Sequence, residues 1–133
     1  MSERRVRKLT PMQALIELPQ PLIIVGVGDG SERAGMTACW AAQVSWRPPY
    51  LGIAIYHRWT TLKLLLERKE FAVNLVSEKL TKAALEVFGK LSSKEVDKFR
   101  LAEERYGLKV VEGRSVKAPV LKDAPIVMEC RLL

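Results

Sequence analysis

Few residues of this 133-residue chain are of a type and spacing that would allow chemistry by protein side chains. There is one histidine, His57, and there are two cysteines, Cys39 and Cys130. A structural zinc site takes about four Cys or His ligands, so we expect no metal site. No base or cation adjoins Cys39 to activate its thiol, which indicates a small core residue rather than a nucleophile. The sequence also has no Walker lysine motif, nucleophile elbow or HExxH pair, so we expect no catalytic side chain.

One short segment carries the residue types that bind an anion. It reads His57-Arg58-Trp59-Thr60-Thr61 and precedes a run with helical periodicity. The first N–H groups of a helix lack intrahelical partners and attract negative charge, and Arg58 with two hydroxyl groups adds donors there. The segment therefore suits a phosphate group. Spacing alone leaves a second interpretation open, in which Thr60 is only a helix cap and Arg58 only a surface charge.

A second segment suits a flat ring. Gly35-Met36-Thr37-Ala38-Cys39-Trp40 consists mainly of small side chains, which would let a planar ligand approach the backbone. The N–H and C=O groups of such a stretch could bind the polar edge of the ring, and Trp40 could stack on it. The alternative is that this stretch is simply the packed interior of a strand.

The apolar pattern indicates the elements that would position these two segments. At least five strands are predicted, at 21–27, 35–46, 50–56, 71–76 and 126–132, and a short apolar run lies at 108–111. Short turns join the first three strands, which favours antiparallel pairing. Gly26-Val27-Gly28-Asp29-Gly30 looks like a dinucleotide fingerprint, but Ser31 stands where the third glycine belongs, so we interpret the motif as a turn.

Three helices are predicted between the later strands. The first begins at position 60 or 61 and places Leu62, Leu65 and Leu66 on one face. The second covers residues 80–88 and ends at Gly89, and the third begins at a capping box that starts with Ser92. Strands with helices inserted between them predict a mainly β, α+β fold of the barrel type. We expect a single domain over residues 12–133 after a basic extension at 1–11.

The charge balance bounds the classes of partner. The chain has 22 Lys and Arg against 15 Asp and Glu, a formal net charge of +7. Most charges lie on predicted helices with both signs interspersed, as is typical of solvated helix faces, and a nucleic-acid groove is a minority alternative. No apolar run approaches the ~18 residues of a membrane span, and no secretory signal pattern is present, so we expect a cytoplasmic protein.

Several motifs, taken in order, resemble the flavin reductase-like family: Pro21-Leu22-Ile23-Ile24-Val25, Gly35-Met36-Thr37-Ala38-Cys39-Trp40, Val44-Ser45 with Pro48-Pro49, Arg58 with Thr60-Thr61, Phe71-Ala72-Val73-Asn74-Leu75 and Asp97-Lys98-Phe99. The resemblance implies an FMN-binding split barrel of Greek-key type. It also implies a homodimer with FMN near the subunit interface. Members of the family include NAD(P)H-dependent flavin reductases, ferric reductases and flavoredoxins.

The resemblance further implies which residues bind the cofactor. Contacts to the flavin ring are implied for Met36, Thr37, Ala38, Cys39 and Trp40. Contacts to the phosphate and ribityl groups are implied for Ser45, Arg58, Thr60 and Thr61. His57 and Phe88-Gly89 are further candidates near the exposed face of the ring.

The function implied is that of an FMN-binding oxidoreductase, a flavin or ferric reductase driven by NAD(P)H, in which the flavin rather than a side chain performs the chemistry. Three alternatives stay open: a flavoredoxin-type electron carrier without its own NAD(P)H site, an interaction module without a ligand, and a basic nucleic-acid binder. Relatives continue past 126–132 with another strand, often after a Gly-Asp-His stretch, whereas this chain stops. We expect either a shortened barrel or a partner subunit that covers its open edge.

Overall fold

The first described element is a helix that the apolar pattern does not predict. The computed structural model describes residues 6–133, so positions 1–5 of the predicted basic extension lie outside the described residues. Helix α1 (Pro11–Ile16) follows a capping box between Thr10 and Gln13, and none of its residues is buried. The expected boundary between extension and domain, at 11/12, falls inside α1.

Antiparallel strands form the framework of the fold. In chain order the strands of the described residues are β1 (Ile23–Gly28), β2 (Arg33–Ala38), β3 (Ala41–Ser45), β4 (Tyr50–Ile53), β5 (Glu70–Leu75), β6 (Val110–Glu112), β7 (Pro119–Leu121) and β8 (Val127–Arg131). The main sheet has the order β2-β1-β5-β8, and the pairs β3–β4 and β6–β7 form two further sheets. Every pairing is antiparallel, as the short turns predict.

The turn between β1 and β2 is the glycine-rich motif, and it opens no helix. Gly28 has a φ of +94°, and a Cβ added there would lie 2.1 Å from the carbonyl oxygen of Glu32. The carboxylate of Asp29 accepts hydrogen bonds from the backbone N–H groups of Ser31 and Glu32 at 2.9 and 3.3 Å. The hydroxyl of Ser31 also donates to it, and these bonds hold the pKa of Asp29 well below its usual range.

The predicted strand at 35–46 is wrong as a single element. It divides into β2 and β3, and the chain leaves the main sheet at Cys39 and Trp40 to start a separate hairpin. The predicted strand at 50–56 is also shorter and ends at Ile53, the last residue of β4. Small residues lie on both sides of the break between β2 and β3, so the composition of 35–46 does not reveal where the backbone changes direction.

Helix α2 (Thr60–Arg68) packs on the main sheet with a face different from the predicted one. Its buried residues are Thr61, Leu64 and Leu65, whereas Leu66 is exposed. Leu64, Leu65 and Leu66 are consecutive and leave the face ambiguous in sequence, and the direction in which α2 crosses β1 and β2 decides it.

The second helical region has the predicted buried face but an unexpected geometry. A 3₁₀ turn (Glu78–Leu80), a single turn α3 (Thr81–Ala83) and a π-helix (Ala84–Phe88) follow one another. The predicted inward positions are all buried, namely Leu80, Ala83, Ala84, Val87 and Phe88.

The third predicted helix begins later than its capping box suggests. Helix α4 (Lys98–Tyr106) starts after Asp97, whose carboxylate accepts from the N–H groups of Phe99 and Arg100 at 3.1 and 3.2 Å. Ser92 instead accepts from the N–H of Lys94 inside a turn. The carboxylate of Asp97 caps two N–H groups and stabilises a helix start there more than Ser92 would at its own position. The predicted start of this helix is therefore wrong.

Two clusters of core residues lie on opposite faces of β1. Ile23, Val25 and Val27 pack into the cluster that includes Leu64 of α2. Ile24 faces the other cluster, which contains the π-helix and α4. The alternation follows from the two-residue period of a strand. β1 is therefore buried on both faces, and the ladders of residues 6–133 form an open rather than a closed barrel.

Candidate functional site

The start of α2 forms the anion-binding end of the candidate site. Trp59 is the N-cap residue, and its side chain makes no capping hydrogen bond. The prediction that Thr60 or Thr61 caps the helix is wrong, because the chain becomes helical at Thr60 itself. The preceding side chain thus caps none of the first N–H groups of α2. Those of Leu62 and Lys63 donate to the carbonyl oxygen of Trp59, which leaves those of Thr60 and Thr61 for a ligand.

A cleft of about 510 Å³ opens beside this helix start. Of the described residues that line it, three are cationic and none is acidic: His57, Arg58, Trp59, Thr60, Leu62, Lys63, Leu66 and Lys94. The cations and the positive end of the helix dipole act on the same space. The arrangement suits a group with two negative charges, such as a phosphate monoester.

The aromatic residues His57 and Trp59 line this cleft, and the ring of Tyr56 packs against both. The rings of Tyr56 and His57 are 4.8 Å apart between centroids, and those of Tyr56 and Trp59 are 6.5 Å apart in an edge-on arrangement. Thr61, in contrast, is only 2% exposed and does not line the cleft, so its hydroxyl turns into the protein. Of the two threonines, Thr60 is the one available to a ligand.

The predicted ring-binding stretch alternates between the core and the opposite face of β2. Met36 and Ala38 are buried in the core cluster beside α2, so they offer a ligand only their backbone. Thr37 points the other way, and its hydroxyl donates to the carbonyl oxygen of Ala84 in the π-helix. Cys39 is half-buried rather than a core residue, and Trp40 is 67% exposed.

The outer edge of β2 is largely occupied by the segment at 84–97. Arg33 Nε lies 3.0 Å from both carboxylate oxygens of Asp97. The hydroxyl of Ser93 accepts from the N–H of Gly35 and donates to its carbonyl oxygen, each at 3.1 Å. The segment thus engages the side chains of Arg33 and Thr37 and the backbone of Gly35. The next residue on the same face of the strand is Cys39, which lies beyond the last paired residue of β2. The contact at Thr37 engages its hydroxyl and not its backbone, so the stretch left open to a ring is the backbone at 37–40.

Aromatic packing explains why position 35 is a glycine. A Cβ added to Gly35 would lie 2.8 Å from the ring of Phe99 and 2.9 Å from the ring of Phe88. These two rings pack edge to face, with centroids 4.9 Å apart. The alternative interpretation, a packed strand interior, is therefore correct for Gly35.

One backbone contact links the ring stretch to the chain that leads to the anion end. The N–H of Ala54 donates to the carbonyl oxygen of Trp40 at 2.9 Å, and Ala54 precedes Arg58 by four residues. Ser45 is not brought to the same place. It pairs with Tyr50 at the opposite end of β3, about 13 Å along the strand from its first residue.

Two lysines of the cleft were not predicted. Lys63 lies one turn into α2, and its spacing from Arg58 could have suggested it. Lys94 comes from the turn before α4 and has no sequence signal, because only the packing of that turn against α2 brings it to the cleft. The candidate residues Phe88 and Gly89 lie beside the stretch, since a Cβ added to Gly89 would be 3.7 Å from that of Thr37.

A larger cleft, about 600 Å³, lies elsewhere and contains none of the predicted site residues. It separates the β3–β4 hairpin from β8 and is mainly apolar, with Tyr50, Leu51 and Phe71 among its lining residues. Cys130 also lines it, and burial raises the pKa of the Cys130 thiol. The arginine of this cleft, Arg131, is accompanied by the acidic Glu129, so the smaller cleft, whose charged lining residues are all cationic, is the better candidate for an anion.

The described residues contain neither a metal-binding cluster nor a membrane-spanning helix. Within residues 6–133 no group of three or more His, Cys, Asp or Glu side chains is placed to hold a metal ion. No helix in the same residues is long and apolar enough to cross a membrane.

An open antiparallel barrel with inserted helices and an anion cleft beside a strand edge is the architecture of a split-barrel flavin-binding domain. Residues 15–133 match the flavin reductase like domain, and the chain belongs to the flavin reductase-like family. The fold and family predictions are thereby confirmed.

Similar proteins extend this comparison. An uncharacterized protein of Archaeoglobus fulgidus is 32% identical over 120 residues, which cover 90% of this chain and 65% of that protein. The flavoredoxin of Desulfovibrio vulgaris (Miyazaki F) is similar with a TM-score of 0.77 at 26% identity, covering 100% of this chain and 67% of that one. An FMN-binding protein from Thermus thermophilus with bound 1-cyclohex-2-enone is similar with a TM-score of 0.75 at 25% identity, covering 100% and 69%. The chain spans 43% to 65% of the length of four curated relatives it matches.

Proposed function

We propose that this protein binds FMN and acts as a flavin-dependent oxidoreductase, with NAD(P)H as electron donor and a free flavin or ferric chelate as acceptor. The observation that carries the proposal is the cationic cleft at the start of α2, which no carboxylate of the described residues lines. Its residue Arg58 follows Ala54 by four positions, and the N–H of Ala54 donates to the carbonyl oxygen of Trp40 at the end of the ring stretch. Membership of the flavin reductase-like family supports it, as does the similarity to an FMN-binding protein.

The anion end fits the phosphate of FMN. Arg58, Lys63 and Lys94 supply three positive charges against the two negative charges of a phosphate monoester, and no carboxylate of the described residues lines the cleft. Thr60 adds a hydroxyl and a helix N–H group. The phosphorylated flavin should therefore bind more tightly than riboflavin.

The strand end fits the flavin ring. Backbone N–H and C=O groups at 37–40 would bind the polar edge of the ring, and the half-exposed Cys39 and exposed Trp40 leave room beside it. Bound FMN supplies the redox chemistry, which lies outside the repertoire of protein side chains. Backbone donors at the polar edge would stabilise the negative charge that develops on reduction, and the phosphate site would hold the ring in register.

The substitution Arg58→Ala tests the phosphate assignment. We expect FMN binding to weaken by about 1.5–3 kcal/mol, the range for a hydrogen bond to a charged group, while riboflavin binding changes little. Flavin fluorescence quenching measures both affinities. Arg47→Ala is the matched control, because Arg47 is equally cationic and exposed but lies in the β3–β4 turn.

Two outcomes would contradict the proposal. If the unsubstituted protein takes up no FMN in equilibrium dialysis, the function is wrong. If Arg58→Ala and Arg47→Ala bind FMN equally well, Arg58 does not belong to the phosphate site.

A second candidate function is that of a flavoredoxin-type carrier that receives electrons from a separate reductase. The similarity to a flavoredoxin over the whole chain, at 26% identity, favours it. Anaerobic addition of NADH or NADPH to the FMN-loaded protein separates the two functions. Loss of the oxidised flavin absorbance without a partner supports the reductase, and loss only after a reductase is added supports the carrier.

A further inference from the structure

Lys98 is a buried cation that the proposed function has not used. It is the first residue of α4 and is 2% exposed. Its Nζ donates to the carbonyl oxygen of Phe88 at 2.9 Å. Lys98 takes no part in the ion pairs found among the described residues, so its charge is balanced by no carboxylate within contact distance.

The position of this cation relates it to the ring stretch. The carbonyl that Lys98 binds belongs to the peptide between Phe88 and Gly89, and Gly89 packs against Thr37. With standard bond lengths, these links put the ammonium within about 11 Å of the Thr37 Cβ. Phe88 on this path is buried, whereas Gly89 is exposed and Thr37 is partly buried, so solvent screens the charge only in part.

A second cation that is not fully exposed, Arg33, lies nearby but is neutralised. It lies over the ring of Phe99 at 5.6 Å, and both carboxylate oxygens of Asp97 contact it. Lys98 differs from it, and from the exposed Lys90 and Lys94, in being a buried positive charge without a carboxylate partner among the described residues. Burial lowers the pKa of Lys98 to about 8, which leaves the ammonium mostly protonated at neutral pH.

We propose that the buried charge of Lys98 makes the ring site bind reduced, negatively charged flavin more tightly than oxidised flavin. This inference rests on the proposed binding of FMN at 37–40. Two unit charges about 10 Å apart at an effective dielectric constant of about 20 change an equilibrium roughly tenfold. For a two-electron couple, tenfold corresponds to about 30 mV in midpoint potential.

The test compares the midpoint potential of protein-bound FMN with that of free FMN, since their difference reports the ratio of the two affinities. Lys98→Met removes the charge and the hydrogen bond, and Lys98→Gln removes the charge but retains an N–H donor for Phe88. In both variants the ratio of the affinity for reduced flavin to that for oxidised flavin should fall about tenfold. The midpoint potential of the bound FMN should then become about 30 mV more negative. Lys98→Arg should retain the preference, because it keeps the charge.

Lys90→Met is the matched control, because Lys90 lies two residues after Phe88 but is exposed, and its removal should leave the potential unchanged. Should Lys98→Met fail to fold, Lys98→Gln decides the question. A Lys98→Gln protein that binds FMN with unchanged potential overturns the inference and leaves the proposed function standing. Absence of FMN binding by the unsubstituted protein overturns both.

Discussion

At the scale of single residues, the candidate site depends on charges placed in two different environments. Arg58 acts from the surface of a cleft, where its positive charge is available to a ligand. Lys98 is buried, and its ammonium has a neutral carbonyl as hydrogen-bond partner. Burial of a charge without an opposite charge beside it lowers the free energy of unfolding. A residue that carries this cost is a candidate for a functional role.

The titration of Lys98 makes stability depend on pH in a defined direction. Its pKa falls from 10.5 in the unfolded chain to about 8 in the fold, so between these values the unfolded state binds more protons. Stability should therefore rise through this window. We expect the free energy of unfolding to increase by up to about 3 kcal/mol relative to Lys98→Met.

Urea unfolding of both proteins at pH 7.5 and pH 10 measures this difference. The comparison with Lys98→Met removes the contributions of other groups that titrate in the same window, such as Tyr106, whose pKa is raised by its hydrogen bond to Glu86. A constant difference between the two proteins at both pH values would show that Lys98 does not titrate there.

At the scale of elements, the segment at 84–97, here called the brace, is hydrogen-bonded along the outer edge of β2. It bonds to the strand at three alternate positions, through Ala84, Ser93 and Asp97. The bonds to Ser93 occupy backbone groups of the edge strand, and the other two contacts engage its side chains. The backbone that stays open to a ligand is limited to the end of the strand. The element that closes the edge thereby determines where a ligand ring can lie.

Asp97 joins this brace to α4, because it caps the helix and pairs with Arg33. Asp97→Ala should cost about 0.5–2 kcal/mol of stability from the lost cap alone. Asp97→Ser, which can still cap, should recover most of that loss. Thermal unfolding of the two variants compares them, and equal destabilisation would assign the effect to the ion pair instead of the cap.

At the scale of the whole molecule, apolar side chains are exposed on the β3–β4 hairpin and next to the candidate site. Val44 and Trp46 are exposed on the hairpin, and Trp40 at its start. Exposed apolar surface of this kind marks an interaction site, and the family resemblance implies a homodimer with FMN near the interface.

We accordingly expect a dimer in light scattering at micromolar concentration. Trp46→Glu should shift the mass toward that of a monomer, because it places a charge in the apolar contact. Leu85→Glu is the matched control, since Leu85 is also exposed but lies on the helical side of the sheet. A compact monomer for the unsubstituted protein would exclude a site shared between subunits.

The amino-acid sequence by itself determined the composition of the site and most of the elements. β-branched runs and the positions of Leu80, Val87 and Phe88 predicted strands and a buried helix face, because two-residue and 3.6-residue periods are local properties. The cleft residues Arg58 and Thr60 were likewise readable from the expected helix start. Short element β7 and the unburied helix α1 were missed, since neither has a periodic apolar pattern.

Only the tertiary structure decided which groups share a place. It separated Ser45 from Arg58, brought Lys94 to the cleft and buried Lys98 behind the strand edge. It also assigned Gly35 to aromatic packing. These outcomes depend on how hairpins and helices cross the sheet, which involves contacts between residues far apart in the chain, whereas local patterns report only the preferences of neighbours.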